Sequence, residues 1–187
     1  MSGEYIDANV DLLLGQEFLT WLWYRSETAN GQFRLSPEAA NSGQPFSVSM
    51  EQRIVVRGGE GEHRETATVS GSLSPLREAR LGLQTGKQVV RALLRLQKDE
   101  LEWLVTLKAE DFSLGSFKTP AIAKDGLGEE DPDARFLEKI YLLENGLALL
   151  DDIYRQFLQV RFDEEKWRME TNRVAAWMQH DISQGAM

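Results

Sequence analysis

Glu17-Phe-Leu-Thr-Trp-Leu-Trp-Tyr-Arg-Ser-Glu27 holds two of the chain's five tryptophans within eleven residues, with a phenylalanine and a tyrosine beside them. On a helical wheel Phe18, Leu19, Leu22 and the ring of Trp21 or Trp23 form a broad apolar arc, and the aromatics elsewhere leave little polar face. Such a helix has to be covered on more than one side. Glu17 in a first turn and Arg25 in a last turn suit the helix dipole, and Asn30-Gly31 is a good stop. The usual fate of large aromatics favours a buried core helix over a partner-binding or membrane-surface one.

Downstream the periodicity changes from helical to alternating. Gly31 to Leu35 suits a short strand, and Ser36-Pro37, Asn41 to Gly43 and Pro45 mark a loop. From Phe46 the set Phe46, Val48, Met50, Ile54 and Val56 keeps period two, with a break at Gln52, which predicts a half-buried strand. Gly58-Gly59-Glu60-Gly61 reads as a hairpin loop, and a second strand returns over about His63 to Leu73. Ser74 as cap and Pro75 in the first turn predict a short helix over Leu76 to Gln84, ended by Gly86. Gln88 to Gln97 alternates again, with Val90, Ala92, Leu94 and Leu96 on one face and Arg91, Leu93 and Arg95 on the other. Lys98-Asp99-Glu100 turns the chain into a fourth strand, whose inward face is Leu101, Trp103, Val105 and Leu107.

Residues 111 to 133 read as irregular. Phe136, Leu137, Ile140, Leu143, Leu147, Leu150, Ile153, Tyr154, Phe157 and Leu158 then recur at three and four, predicting a helix near 25 residues with Gly146 inside it at a cost of about 1 kcal/mol. Arg161-Phe162-Asp163 reads as a break with a fresh cap, followed by a last helix from Glu164 to about Ile182 presenting Trp167, Val174, Trp177 and Met178. The expected fold is α+β, with an antiparallel sheet of at least four strands packed by an aromatic N-terminal helix and a long C-terminal helix. A length of 187 residues suits a single domain, with a sheet region over 31–110 and a helical region over 132–183.

Composition excludes several chemistries. The chain has no cysteine, so disulfides, thiolate catalysis and iron-sulfur ligation are ruled out. The start Met-Ser-Gly-Glu-Tyr-Ile-Asp has neither the basic nor the apolar part of a signal peptide, and no run approaches the roughly 18 apolar residues of a membrane span, so a cytoplasmic protein without membrane contact is expected. His63 and His180 lack a partner at metal-ligand spacing. Gly82 to Lys87 has too short a spacer for a P-loop, and Gln88 stands where magnesium needs Ser or Thr. The acids from Asp125 to Asp133 lack the ordered spacing of a calcium loop, and Glu144, Asp151 and Asp152 read as a solvated helix face. No catalytic residue, metal or cofactor is therefore expected, and the chain does not read as an enzyme.

The net charge of -9 conceals a segregated distribution. Residues 1–30 carry one base against five acids and residues 121–187 carry eight against fourteen, while residues 31–120 carry twelve against eleven. Strand alternation sends Arg53, Arg57, Arg64, Arg91, Arg95 and Lys108 to the outer face of the sheet with Thr66, Thr68 and Thr106. Cations with hydroxyls suit phosphate oxygens. Glu51, Glu65 and Glu102 are also placed to pair with those arginines across strands. The residues leave both readings open.

Four stretches resemble the recombination-associated protein RdgC family: Gly15-Gln-Glu-Phe-Leu-Thr-Trp-Leu-Trp-Tyr-Arg-Ser-Glu27, Thr68-Val-Ser-Gly71, Leu76-Arg-Glu-Ala-Arg-Leu-Gly-Leu-Gln-Thr-Gly-Lys87 and Glu130-Asp-Pro-Asp-Ala-Arg-Phe-Leu-Glu138. The resemblance spans about Leu14 to Trp177. It implies a nucleoid protein that binds DNA without sequence preference in recombination control, as a homodimer, with a recombination protein as a further partner. Beside that family the chain is short and reads as lacking the usual N-terminal portion. The alternative from the residues alone is a protein-protein assembly module using Trp167 and Trp177.

Overall fold

The computed structural model describes residues 8–29, 31–37, 43–58, 65–70, 73–121 and 132–179, side chains at 8–12, 52–53, 65–70 and 73–78 excepted. In it the aromatic stretch is helical, and the helix runs well beyond the stretch. This helix, α1, spans Ala8–Thr28, so Glu17 sits near its middle and not in its first turn. Glu17 pairs instead with Arg161, 2.6 Å away, near the far end of the chain. Every residue from Phe18 to Trp23 is buried, so the polar side of the wheel is covered as well. Gly31 ends the element at a φ of 62°, where a Cβ would also strike the Val48 carbonyl oxygen.

Among the described residues the sheet has six strands: β1 Gln32–Arg34, β2 Pro45–Gly58, β3 Glu65–Ser70, β4 Gln88–Lys98, β5 Leu101–Lys108 and β6 Leu114–Lys118. Pairing is antiparallel throughout in the order β1-β2-β4-β5-β6. β3 also pairs with β2, along Arg53 to Gly58, while β1 takes Pro45 to Ser47. The loop expected at Gly58 to Gly61 lies mostly outside the described residues. β6 falls in the stretch read as irregular, because five residues containing Gly115 show too little alternation to register as a strand.

Two register shifts between β2 and β4 change which side chains face inward. The first lies between Met50 and Ile54 and absorbs the break at Gln52, leaving Ile54 and Val56 on the buried side. The second sets Val56 against Val89, so Val89 is the buried residue and Val90, expected inward, is not. From Ala92 onward the alternation is as predicted: Ala92, Leu94 and Leu96 are fully buried.

Helix α2, Leu73–Gln84, begins one residue before Ser74, which places both Ser74 and Pro75 in its first turn. Helix α3, Pro132–Arg161, has 30 residues, five more than the periodicity suggested, and α4, Glu164–Gln179, follows the predicted break. Asp163 caps α4, accepting the Lys166 backbone N–H at 3.0 Å. The helices lie on one side of the sheet, with α1 against β2 and β4 and α3 and α4 packed over α1. Phe18 of α1 meets Tyr154 and Phe157 of α3 with ring centres 5.2 and 5.3 Å apart, and Phe157 meets Trp167 of α4 at 5.9 Å. Fully burying side chains of this size contributes about 1.5–3 kcal/mol each, which makes the α1 seam the main apolar contribution on this side of the sheet.

Candidate nucleic-acid interface

With the helices gathered on one side, the other face of the sheet is left to the outward members of the alternation. Arg57 on β2, Arg91 and Arg95 on β4 and Lys108 on β5 all belong to that set and are partly exposed. Arg53 lies on β2 opposite Ser70, its side chain outside the described residues, and Arg64 lies outside them entirely. Strand register divides the rest into two ends.

At one end Arg95 is held between two carboxylates. Its Nε donates to Glu51 Oε1 at 2.6 Å and its Nη1 to Glu102 Oε2 at 2.7 Å, forming a bridge across β2, β4 and β5. The hydrogen bond to Glu51 chiefly, with the charges of both glutamates, raises the Arg95 pKa against the opposing effect of desolvation. The cross-strand pairing that the sequence leaves open is therefore realised here, and Arg95 offers little net charge to an incoming anion.

The other end differs. Arg91 stands directly opposite Lys108 on β5 and opposite Val55 on β2, and Arg57 follows two residues along β2. Like charges placed opposite each other across strands repel. No carboxylate among the described residues forms an ion pair with Arg57, Arg91 or Lys108. Asp111, in the turn after β5, is near enough for its field to reach Lys108 without contacting it. Around the cations lie a hydroxyl pair, Thr106 Oγ1 and Ser116 Oγ at 2.9 Å, and Gly115, where an added Cβ would sit 3.8 Å from Arg91 Nη2. The Arg91 guanidinium thus reaches across β5 toward β6. Lys118 joins this face opposite Leu104; sequence reading misses it together with β6.

Other candidates resolve into structure. Three backbone N–H groups between Thr85 and Lys87 donate to carbonyls of Leu81, Gly82 and Leu83, so they form a helix exit and no phosphate cradle. Among the described residues no group of three acids or histidines is placed to hold a metal ion, and no helix is long and apolar enough to cross a membrane. His63, His180 and the acids from Asp125 to Asp131 lie outside the described residues. Trp177 is 7% exposed and its ring lies in the core, while Trp167 is half-buried against Phe157.

Asp152, expected on a solvated face, is 6% exposed. It accepts the Ser36 backbone N–H at 3.3 Å, the Ser36 hydroxyl, and Gln156 Nε2 at 2.8 Å, fixing the turn after β1 onto α3. A cleft of about 420 Å³ between the β4–β5 turn and α3 is lined by Lys98, Asp99, Trp103, Tyr141, Asp152 and Arg155. Two of its charged groups are already used within the fold, since Arg155 pairs with Asp151 at 2.9 Å and Asp152 with Ser36.

Compared with family models, with curated proteins and with solved structures, the chain matches none. The likeness to the RdgC family accordingly rests on the four stretches quoted above.

Proposed function

We propose that the outer face of the sheet binds the sugar–phosphate backbone of DNA without reading its sequence. The observation that carries this reading is Arg91 set opposite Lys108 with no carboxylate of the described residues in ion-pair contact with either. Two adjacent cations destabilise a fold by their repulsion, and a phosphate placed between them relieves it. Arg57 and the hydroxyls of Thr106 and Ser116 extend the donor set along the same end. These groups bond phosphate oxygens and carry no base pattern, which suits binding blind to sequence. Segregating charge in this way reconciles a net charge of -9 with a polyanionic partner. The role in recombination control and the nucleoid setting come from the RdgC resemblance alone.

Anisotropy of labelled duplex DNA, titrated with the whole chain over a salt series, tests the reading. Log affinity falls linearly with log salt, and Arg91→Ala with Lys108→Ala flattens the slope by about 2, roughly one for each phosphate that goes unneutralised. Arg95→Ala leaves the slope close to its starting value. A chain that fails to retain DNA at low salt, or a double variant with an unchanged slope, removes this face from consideration.

A further inference from the structure

The cleft between the β4–β5 turn and α3 lies on the helix side of the sheet, away from the cationic face. Tyr141, Asn145, Ala148, Asp152 and Arg155 recur on α3 at spacings of four and three, so one stripe of the helix lines it. That stripe is polar except at its middle, where the small, exposed Ala148 leaves the floor to Leu101, Trp103 and Leu149. The facing wall is the end of β4, where register sets Lys98 opposite Leu101 and two residues beyond the fully buried Leu96. Lys98 therefore stands on the buried side of the sheet, half-buried, and no carboxylate of the described residues forms an ion pair with it. Asn145 is half-buried as well, and its amide makes no hydrogen bond among the described residues. Across the cleft Asp152 is held only by neutral donors, the Ser36 N–H and hydroxyl and the Gln156 amide, and no cation of the described residues forms an ion pair with it.

We propose that this cleft binds a small zwitterion with an apolar body, the chemistry of a free α-amino acid carrying an aliphatic side chain. A half-buried lysine and a buried carboxylate, each without a counter-ion, line one cavity, and a ligand bearing both signs satisfies the two together. The lining sets Lys98 and Arg155 against Asp99, Asp151 and Asp152. A simple anion would meet that excess of negative charge, and a simple cation would meet Lys98. Arg155 adds no free charge, being held by Asp151 at 2.9 Å. The ligand's carboxylate sits on the Lys98 ammonium and its ammonium points toward Asp152, while the Asn145 amide has a donor for the one and an acceptor for the other. Leu101 and Leu149 receive the aliphatic side chain, and the Tyr141 ring, 62% exposed, stands at the rim. A volume of about 420 Å³ with an apolar floor and few polar groups falls within the ordinary range of small-molecule sites. Binding here does not depend on DNA binding at the other face.

Calorimetric titration of the whole chain with L-leucine, L-valine and L-methionine tests it. For whichever binds most tightly, the desamino acid and the amide are titrated as well; for leucine these are 4-methylpentanoate and leucinamide. Each lacks one of the two charges, and each should bind about 10-fold more weakly than its parent, the loss of one charge-assisted contact. Lys98→Met keeps the stem and removes the ammonium. It should weaken the amino acid by about 10-fold and leave the amide, which has no carboxylate to lose, where it was. Ala148→Phe fills the cleft from an exposed helix position and should abolish binding. The two variants lie on different elements, so one keeps the test open if thermal melts show the other unfolded. No binding of any of the three amino acids at millimolar concentration overturns the proposal. So does a desamino acid that binds as tightly as its parent, or binding indifferent to both variants.

Discussion

Trp177 donates its indole N–H to Glu27 Oε2 at 2.8 Å, joining residues 150 positions apart and tying α4 to the end of α1. Glu27 Oε1 takes the Trp23 indole N–H at 2.7 Å, so one carboxylate holds two tryptophans whose rings meet edge to face at 5.3 Å. Arg80 of α2 stands 3.5 Å from the same carboxylate, its guanidinium carbon 4.4 Å from the centre of the Trp177 ring. Burial lowers the Arg80 pKa while Glu27 raises it, and arginine stays charged at any working pH. Glu27→Ala leaves two indole N–H groups and a largely buried cation short of a partner, and is expected to cost roughly 2–3 kcal/mol in urea unfolding. In a double-mutant cycle with Trp177→Phe the coupling should be about 1 kcal/mol. Strict additivity would show that this hydrogen bond does not couple the two helices.

Gly146→Ala runs against helix propensity. In an exposed helix interior this change stabilises by about 1 kcal/mol. Here an added Cβ would lie 2.6 Å from Trp103 Cδ1 and 2.7 Å from Phe117 Cζ. Trp103 cannot swing away freely, because its indole N–H donates to the Leu142 carbonyl at 2.7 Å and the ring is 1% exposed. Overpacking costs about 1–3 kcal/mol, so the variant should melt below the parent chain. A higher melting temperature would mean that α3 shifts off β5 at no cost.

The same two residues illustrate what is legible in the sequence. Simple alternation places Trp103 inward, since it sits among Val105 and Leu107 on a strand with one buried face. Gly146 shows only its propensity cost; its packing partner lies 43 positions away in the chain, and contact across that distance leaves no periodic trace. Arg91 and Arg95 show the same limit on the candidate site. Alternation sends both to the outer face, but only the register that brings Glu51 and Glu102 beside Arg95 separates a neutralised guanidinium from an open one. Asp152 reads as solvated because a carboxylate on a helix usually is, and its partner Ser36 comes from a turn after β1. Val90 is displaced from the buried face by a one-residue shift in pairing, which alternation within a single strand cannot reveal.

Asp163 makes stability depend on acid. Its carboxyl pKa is held below the ordinary value first by the backbone N–H of Lys166, then by the Lys166 side chain, both at the start of α4. A carboxyl with a depressed folded-state pKa adds stability above its unfolded pKa of about 3.9, and that contribution fades as pH falls through the lower folded value. Thermal melts of the wild type and of Asp163→Ala should therefore differ at pH 7, converge below about pH 4, and coincide once the carboxyl is protonated in both states. A difference that persists unchanged into strong acid would assign the effect to something other than the charged cap.

Removing carboxylates from the sheet face should improve DNA binding if that face is the binding surface. Glu51 and Glu102 occupy the Arg95 donors at 2.6 and 2.7 Å, and Glu51→Gln with Glu102→Gln leaves the guanidinium facing solvent with its charge uncompensated. The expected result is tighter binding of duplex DNA and a salt slope steeper by about 1, the increment for one more phosphate neutralised. General charge effects need a control, because the double variant also makes the chain less acidic. Glu164→Gln with Glu165→Gln alters two exposed acids at the start of α4 by the same total charge, and should leave the slope where it was. Adding Arg95→Ala to the sheet-face variant should then return the slope to the wild-type value. If both double variants raise affinity equally, the gain comes from net charge alone, and the position of Arg95 between two strands has no part in binding.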